Sequence, residues 1–217
     1  MSAPARSPYE LLWAPLFAAG FDRVMSFAER AGLRQLREEL LTEARGRTLE
    51  IGAGTGLNLD LYPAAVTELV LAEPSRLMAK NLRRRLPRGG RATLIDAPAE
   101  RLPFPDQTFD TVVSTFVLCT VPDPAVALTE VARVLRLSGR ALFLEHVRSE
   151  GDSRLARWQD TLAGGWELFA CGCRCDRKTR ALVAESPLVW ERVREGTIPR
   201  APFLVRPMIV GIARRRA

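Results

Sequence analysis

Three glycines at alternate positions, Gly52, Gly54 and Gly56, follow the apolar run 48–51. Glycine lets a chain turn sharply and approach a ligand where a Cβ would clash. A turn of this kind at the end of a strand can carry a small molecule close to the backbone. Its G-x-G-x-G spacing differs from the G-x-G-x-x-G of dinucleotide sites, and no G-K-[ST] of a triphosphate loop accompanies it. Glu50 stands one residue before the strand's end, where its charge repels a pyrophosphate and attracts an amino group. Glu73 closes the next strand-like run, 68–72, about 20 residues past the glycines, where an acid can accept two ribose hydroxyls. The plainer alternative is that Glu73 only caps the helix behind it. The pairing of turn and acid at this spacing favours the nucleoside.

Two further groups could do chemistry. His146 is the one histidine, at the end of a predicted strand on the same side as the glycines. Its ordinary pKa suits proton transfer near neutrality, so it is expected to deprotonate or orient an acceptor. The alternative role is a supporting hydrogen bond. Cys171, Cys173 and Cys175 form C-x-C-x-C, which is not the C-x2-4-C pairing of structural zinc sites. No metal is expected there. That segment is expected to line an acceptor pocket, with Arg177 pairing to an acid.

The elements that would position these groups alternate along the chain. Residues 1–8 are rich in Pro, Ser and Ala and are expected to fray. Residues 9–44 read as helices, broken into two or three pieces by Pro15 and Gly20. Strands are predicted over 48–51, 68–72, 92–96, 111–121 and 140–147, with helices at 75–86 and 125–135 and a helix start at 57–62. Residues 152–186 mix helix and loop. The runs 188–194 and 208–213 would form an antiparallel edge. This pattern predicts an α/β fold: a Rossmann-like, seven-stranded, mostly parallel sheet with helices on both faces and that antiparallel C-terminal edge. Residues 1–44 would be a helical lid and 45–217 the ligand-binding domain, together one structural unit.

Composition bounds the function. A chain of 217 residues, 47% hydrophobic and 26% charged, suits one globular domain burying roughly 70% of its unfolded surface. The net charge is +7, but the basic residues, nearly all arginine, are spread along the chain. No N-P-P-[YF] motif of amino-methylating nucleic-acid enzymes occurs, so a nucleic-acid partner is not expected. Three of the four cysteines lie within five residues, too crowded for a secreted disulfide framework, and no signal peptide precedes them. A cytoplasmic protein with reduced thiols is expected. The apolar stretch 11–21 is about half the ~20 residues of a membrane span. Leu11, Leu12, Trp13, Leu16, Phe17 and Phe21 are read as a lid packed on the domain. Trp13 and Arg23 would also suit peripheral contact with a membrane surface.

The stretch 48–56 with Glu73 closely resembles motif I and the acid after it in class I S-adenosylmethionine-dependent methyltransferases. The segment Leu102-Pro103-Phe104-Pro105-Asp106, the strand end Val117-Leu118-Cys119, and Glu130 to Arg136 are similar to the subfamily that includes quinone-biosynthesis enzymes. The resemblance covers about residues 45–147. Departures are Leu137-Ser138-Gly139, where the family often has Pro-Gly-Gly, and Pro98, where most members have an Asp that caps the adenine amino group. Glu145-His146-Val147, Gly172-Cys173 with Arg177 and Thr179, and Arg206 to Gly211 resemble the methyltransferase-like thiol S-methyltransferases. The resemblance implies S-adenosylmethionine as cofactor and S-adenosylhomocysteine as product. Glu50, Gly52, Gly54 and Gly56 would surround the methionine moiety, with Asn58 near its carboxylate. Glu73 would bind the ribose diol, Pro74 would pack on the adenine, and Ala99 and Glu100 would lie near its edge. Ser114 would meet the cofactor at the fourth strand. The acceptor is expected to be small and lipophilic, preferably a thiol. Alternatives are a quinone or phenol at oxygen or carbon, and a phospholipid or other amine at nitrogen. A nucleic-acid methyltransferase and a non-catalytic binder of the cofactor are weaker readings.

Overall fold

The computed structural model describes residues 8–87 and 89–216, without the side chains of residues 8–12 and 14. The expected fraying of residues 1–8 thus falls almost wholly outside the described residues, and so do the side chains of Leu11 and Leu12.

Seven strands form one sheet: β1 (Gly46–Ile51), β2 (Val66–Ala72), β3 (Ala92–Ile95), β4 (Phe109–Thr115), β5 (Leu135–His146), β6 (Leu188–Thr197) and β7 (Pro207–Arg215). Their spatial order is β3-β2-β1-β4-β5-β7-β6. Strands β1 to β5 run parallel, and β7 is antiparallel to both β5 and β6. The chain builds outward from β1 through β2 to β3, then crosses back to β4. The switch point between β1 and β4 is where open α/β sheets place ligands. Register sets the level of that crevice, because Ile51 lies opposite both Ala72 and Ser114. The glycine turn, Glu73 and the end of β4 therefore emerge along one edge.

Alternation along the strands feeds a core on each face. Leu49, Ile51, Val70 and Val112 join Leu128, Val131 and Ala132 of α4 (Pro124–Val134). Leu69, Leu71, Val113, Leu142 and Leu144 face Leu40 and Leu41 of α2 (Arg34–Leu41) and Leu82 of α3 (Arg76–Arg85). Asp123 caps α4 by accepting from Ala125 N and Val126 N, and Pro124 suits the first helical position. Asp152 caps α5 (Ser153–Phe169) in the same way, through Arg154 N and Leu155 N. The short α6 (Thr179–Glu185) leads into β6.

Several expectations are corrected. Pro15 and Gly20 do not break the first helix, since α1 runs from Pro8 to Ala28. The kink lies instead at Gly32, whose φ of 121° only glycine adopts readily. Residues 57–62 form no helix but a series of turns, with Leu59 N donating to Gly56 O and Leu61 N to Asn58 O. The Asn58 side chain is drawn into the interior, and Pro63 lacks the N–H a helix would need there. The strand expected over 111–121 stops at Thr115, because Phe116 takes a φ of 58° and turns the chain. No helix among the described residues is long and apolar enough to cross a membrane.

Candidate cofactor and acceptor site

The bend after β1 is tied to its neighbour. Gly52, Gly54 and Gly56 have φ of 55°, 57° and 85°. Ala53 N donates to Ala72 O at 3.1 Å, and Gly54 N donates to Glu73 Oε2 at 2.7 Å. The other Glu73 oxygen accepts from Ser75 N at 2.7 Å. The carboxylate therefore faces the bend and also accepts from the residue that caps α3. Burial raises the Glu73 pKa, while the two backbone N–H groups counter the shift.

The three glycines are not equivalent. A Cβ on Gly52 would meet both methyls of Val117 within 2.8 Å, and one on Gly56 would meet Leu82 at 2.5 Å. A Cβ on Gly54 would meet nothing nearer than Gly52 O at 3.9 Å. Only Gly54 opens onto space that a ligand can fill, directly beside the Glu73 carboxylate. Gly52→Ala is expected to cost about 2 kcal/mol from crowding and left-handed strain together, and Gly54→Ala about 1 kcal/mol from strain alone. Urea unfolding of both variants checks the order. Equal losses would contradict the described packing.

Behind the bend lies a buried polar network. Glu50 accepts from Asn58 Nδ2 at 2.8 Å and from Tyr62 OH at 2.7 Å. Asn58 also donates to Thr115 Oγ1 and accepts from Arg37 Nη1 at 2.9 Å, while Arg37 Nε reaches Glu29 at 2.9 Å. Glu50 and Asn58 thus have protein partners and lie almost wholly buried. Desolvation pushes the Glu50 pKa up to about 7, against the hydrogen bonds from Tyr62 and Asn58 and the Arg37 charge. Sequence reasoning missed Arg37, Tyr62 and Thr115, which carry no motif.

A second buried carboxylate, Glu145, accepts from Ser114 Oγ at 2.6 Å and from Val117 N at 3.0 Å. Burial pushes it too up to about 7. Ser114 stands at the edge of the crevice, as its register requires, with its hydroxyl turned to Glu145. Glu145 is an ionisable residue within an apolar run, the one signal that could have found it. On the far side, Ala99 is buried against the same core as Ala72. Pro74 is exposed, and Glu100 accepts from Asp123 N at 3.4 Å.

The N-terminal helix reaches the bend directly. Asp22 of α1 accepts from Thr55 Oγ1 at 2.5 Å and pairs with Arg85 at 2.6 Å, and Arg85 also holds Thr55 O. At the other end of α1, Trp13 donates to Phe169 O and lies 5.5 Å from its ring.

His146 is buried, with Nε2 3.1 Å from Cys173 Sγ. Its ring stacks on Phe116, whose ring also lies under the Arg37 guanidinium. Cys119, from the turn after β4, joins them. Cys119 Sγ donates to Phe116 O at 3.4 Å, and its nearness to Cys173, with the His146 charge, lowers the Cys173 pKa while raising that of Cys119. Of the C-x-C-x-C cysteines only Cys173 enters this cluster, and Cys175 donates instead to Gln159 O. Arg177 donates to Val121 O, so its expected acid is replaced by a carbonyl.

A family model described as a methyltransferase domain matches residues 49–143. The thiol S-methyltransferase TMT1B of Rattus norvegicus is 30% identical over 207 residues, 91% of this chain and 83% of that protein. A phosphatidylethanolamine N-methyltransferase of Cereibacter sphaeroides is 37% identical over 129 residues, which is 56% of this chain and 63% of that one. Among solved structures, an S-adenosylmethionine-dependent methyltransferase from Thermotoga maritima superposes with a TM-score of 0.67 at 22% identity, covering 93% of this chain and 98% of that one. With the strand order and the bend described above, the chain belongs to the class I S-adenosylmethionine-dependent methyltransferases.

Proposed function

We propose that this methyltransferase acts on a small, lipophilic acceptor, with a thiol preferred. The observation that carries the preference is the similarity to a thiol S-methyltransferase over nine-tenths of the chain, against little more than half for the phospholipid enzyme. S-adenosylmethionine supplies a methyl group already activated on a sulfonium.

The chain's own residues then have four tasks. Gly54 opens the bend so that the backbone can approach the cofactor, and Glu73 accepts hydrogen bonds from the ribose diol. Glu50, through Asn58, gives the methionine end a negative, rigid floor, while Gly52 and Gly56 shape the bend. Pro74, Ala99 and Glu100 flank the adenine, and Ser114 with Glu145 fixes the end of β4. The helices before β1 act as a lid on the domain, with Asp22 locking α1 to Thr55.

A thiol suits this site because its pKa near 8.5 requires no strong base. Apolar side chains exposed on α1 and α5, including Leu16, Val24, Phe27, Leu168 and Phe169, favour a lipophilic acceptor and peripheral contact with a membrane surface. A second reading, methyl transfer to a lipid amine, is favoured by the higher local identity to the phospholipid enzyme.

A panel of thiols, phenols, quinones and amines, incubated with labelled cofactor and read by mass spectrometry, tests the acceptor. Alkyl thiols are expected to be methylated. A panel in which only quinones, phenols or amines react would overturn the preference.

A further inference from the structure

We propose that Cys119, His146 and Cys173 form a three-ligand zinc site. Their ligand atoms all lie within 4.8 Å of one another, although the residues come from three separate segments. A tetrahedral zinc ion with bonds of about 2.3 Å to sulfur and about 2.0 Å to nitrogen sets its ligands about 3.5–3.8 Å apart. The present spacing, with Nε2 3.1 Å from Cys173 Sγ, needs only small side-chain shifts to admit the ion.

The surroundings hold the three groups in place. Arg174 N donates to Cys119 O at 2.8 Å, fastening the Cys173 segment to the turn after β4. Trp166 Nε1 donates to Cys173 Sγ at 3.3 Å, a contact that favours an anionic sulfur. His146 is 4% exposed, and its Nδ1 is buried without a partner. Two soft sulfurs and one imidazole match zinc better than calcium or magnesium, which take oxygen ligands.

A Cys2His set leaves the fourth position of zinc open, as catalytic zinc sites do. The cluster lies beyond the carboxyl ends of the parallel strands β4 and β5, the side of the sheet on which the crevice opens. Resting on the thiol reading above, the fourth ligand would be the acceptor's sulfur. Its S–H bond breaks as the zinc–sulfur bond forms, and the proton leaves to solvent. A lone pair on the bound sulfur would form the new S–CH3 bond as the methyl–sulfonium bond breaks and S-adenosylhomocysteine leaves. His146, expected from sequence to act as a base, would instead hold the metal that makes a base unnecessary.

The test is metal analysis of the full-length protein purified with zinc and reductant, together with Co2+ titration of the chelator-treated form. One zinc per chain and a sulfur-to-cobalt charge-transfer band are expected. Cys119→Ser and Cys173→Ser should each weaken zinc binding at least about tenfold, while Cys171→Ser should not. Circular dichroism of each variant separates metal loss from unfolding, and the wild-type cobalt band stands whether or not a variant folds. Absence of both zinc and the band would overturn the site, as would equal zinc retention in all three variants. A thiol that shifts the cobalt band supports the open position. Thiols methylated at full rate by metal-free protein would overturn the zinc ion's part in the reaction and leave the thiol reading intact. Bound zinc with no thiol methylated would overturn the thiol reading and leave the metal site intact.

Discussion

Glu73→Ala is expected to weaken S-adenosylmethionine binding about 100-fold, equivalent to about 3 kcal/mol, because hydrogen bonds to a charged acceptor contribute roughly 1.5–3 kcal/mol each. Removal of the carboxylate also frees Gly54 N and Ser75 N, so the bend loses its tie to α3. Glu73→Gln separates these contributions. Its amide oxygen can still accept one backbone bond, but the side chain carries no charge for the ribose. Calorimetric titration should rank the affinities as wild type, then Gln, then Ala. Alanine binding within a factor of about two of wild type would remove Glu73 from the cofactor site.

The second large effect concerns pH. Glu50 has a pKa of about 7 in the folded chain, above the ordinary 4.5, because burial disfavours its charge. A carboxyl raised in this way contributes its full stability below about pH 4.5 and loses it as pH rises through 7. The lost stability is about 3 kcal/mol, from 1.36 kcal/mol per pKa unit. Glu50→Gln keeps the shape without the titration. Relative to wild type, the variant should therefore gain about 3 kcal/mol between pH 4.5 and pH 8. Glu145, also at about 7, is present in both proteins and cancels. Urea unfolding at a series of pH values checks this. A difference that stays flat with pH would mean that Glu50 is not buried as described. The same variant should bind S-adenosylmethionine more weakly if, as proposed, Glu50 supplies the negative floor under the methionine end. The network behind the bend would then be a case of stability given up for binding.

Much of this was legible in the sequence because the signals were local. The strand before Gly52 and the acid closing β2 lie within 25 residues of each other, and the alternation of strands with helices pointed to a parallel sheet. The antiparallel edge of β6 and β7 also matched the two strand-like runs read at 188–194 and 208–213. Elements governed by tertiary contacts were misread. The turns at 57–62 carry helix-like residues, but Asn58 is held by Glu50, Thr115 and Arg37 from three other elements. Pro15 and Gly20 have breaker propensities, yet α1 runs through both, whereas Gly32 bends the chain without any neighbouring breaker. The cysteine cluster was hidden for a similar reason. Its members sit at 119, 146 and 173, a spacing set by topology rather than by a motif. The C-x-C-x-C run that draws the eye contributes only one of them.

The central claim is that the bend after β1 cradles the cofactor with Glu73 on its sugar. A crystal structure of the protein with S-adenosylhomocysteine tests it most directly. The account predicts both ribose hydroxyls about 2.7 Å from the Glu73 carboxylate and the amino-acid end against Gly54. A nucleoside bound elsewhere, with Glu73 still held only by Gly54 and Ser75, would contradict it.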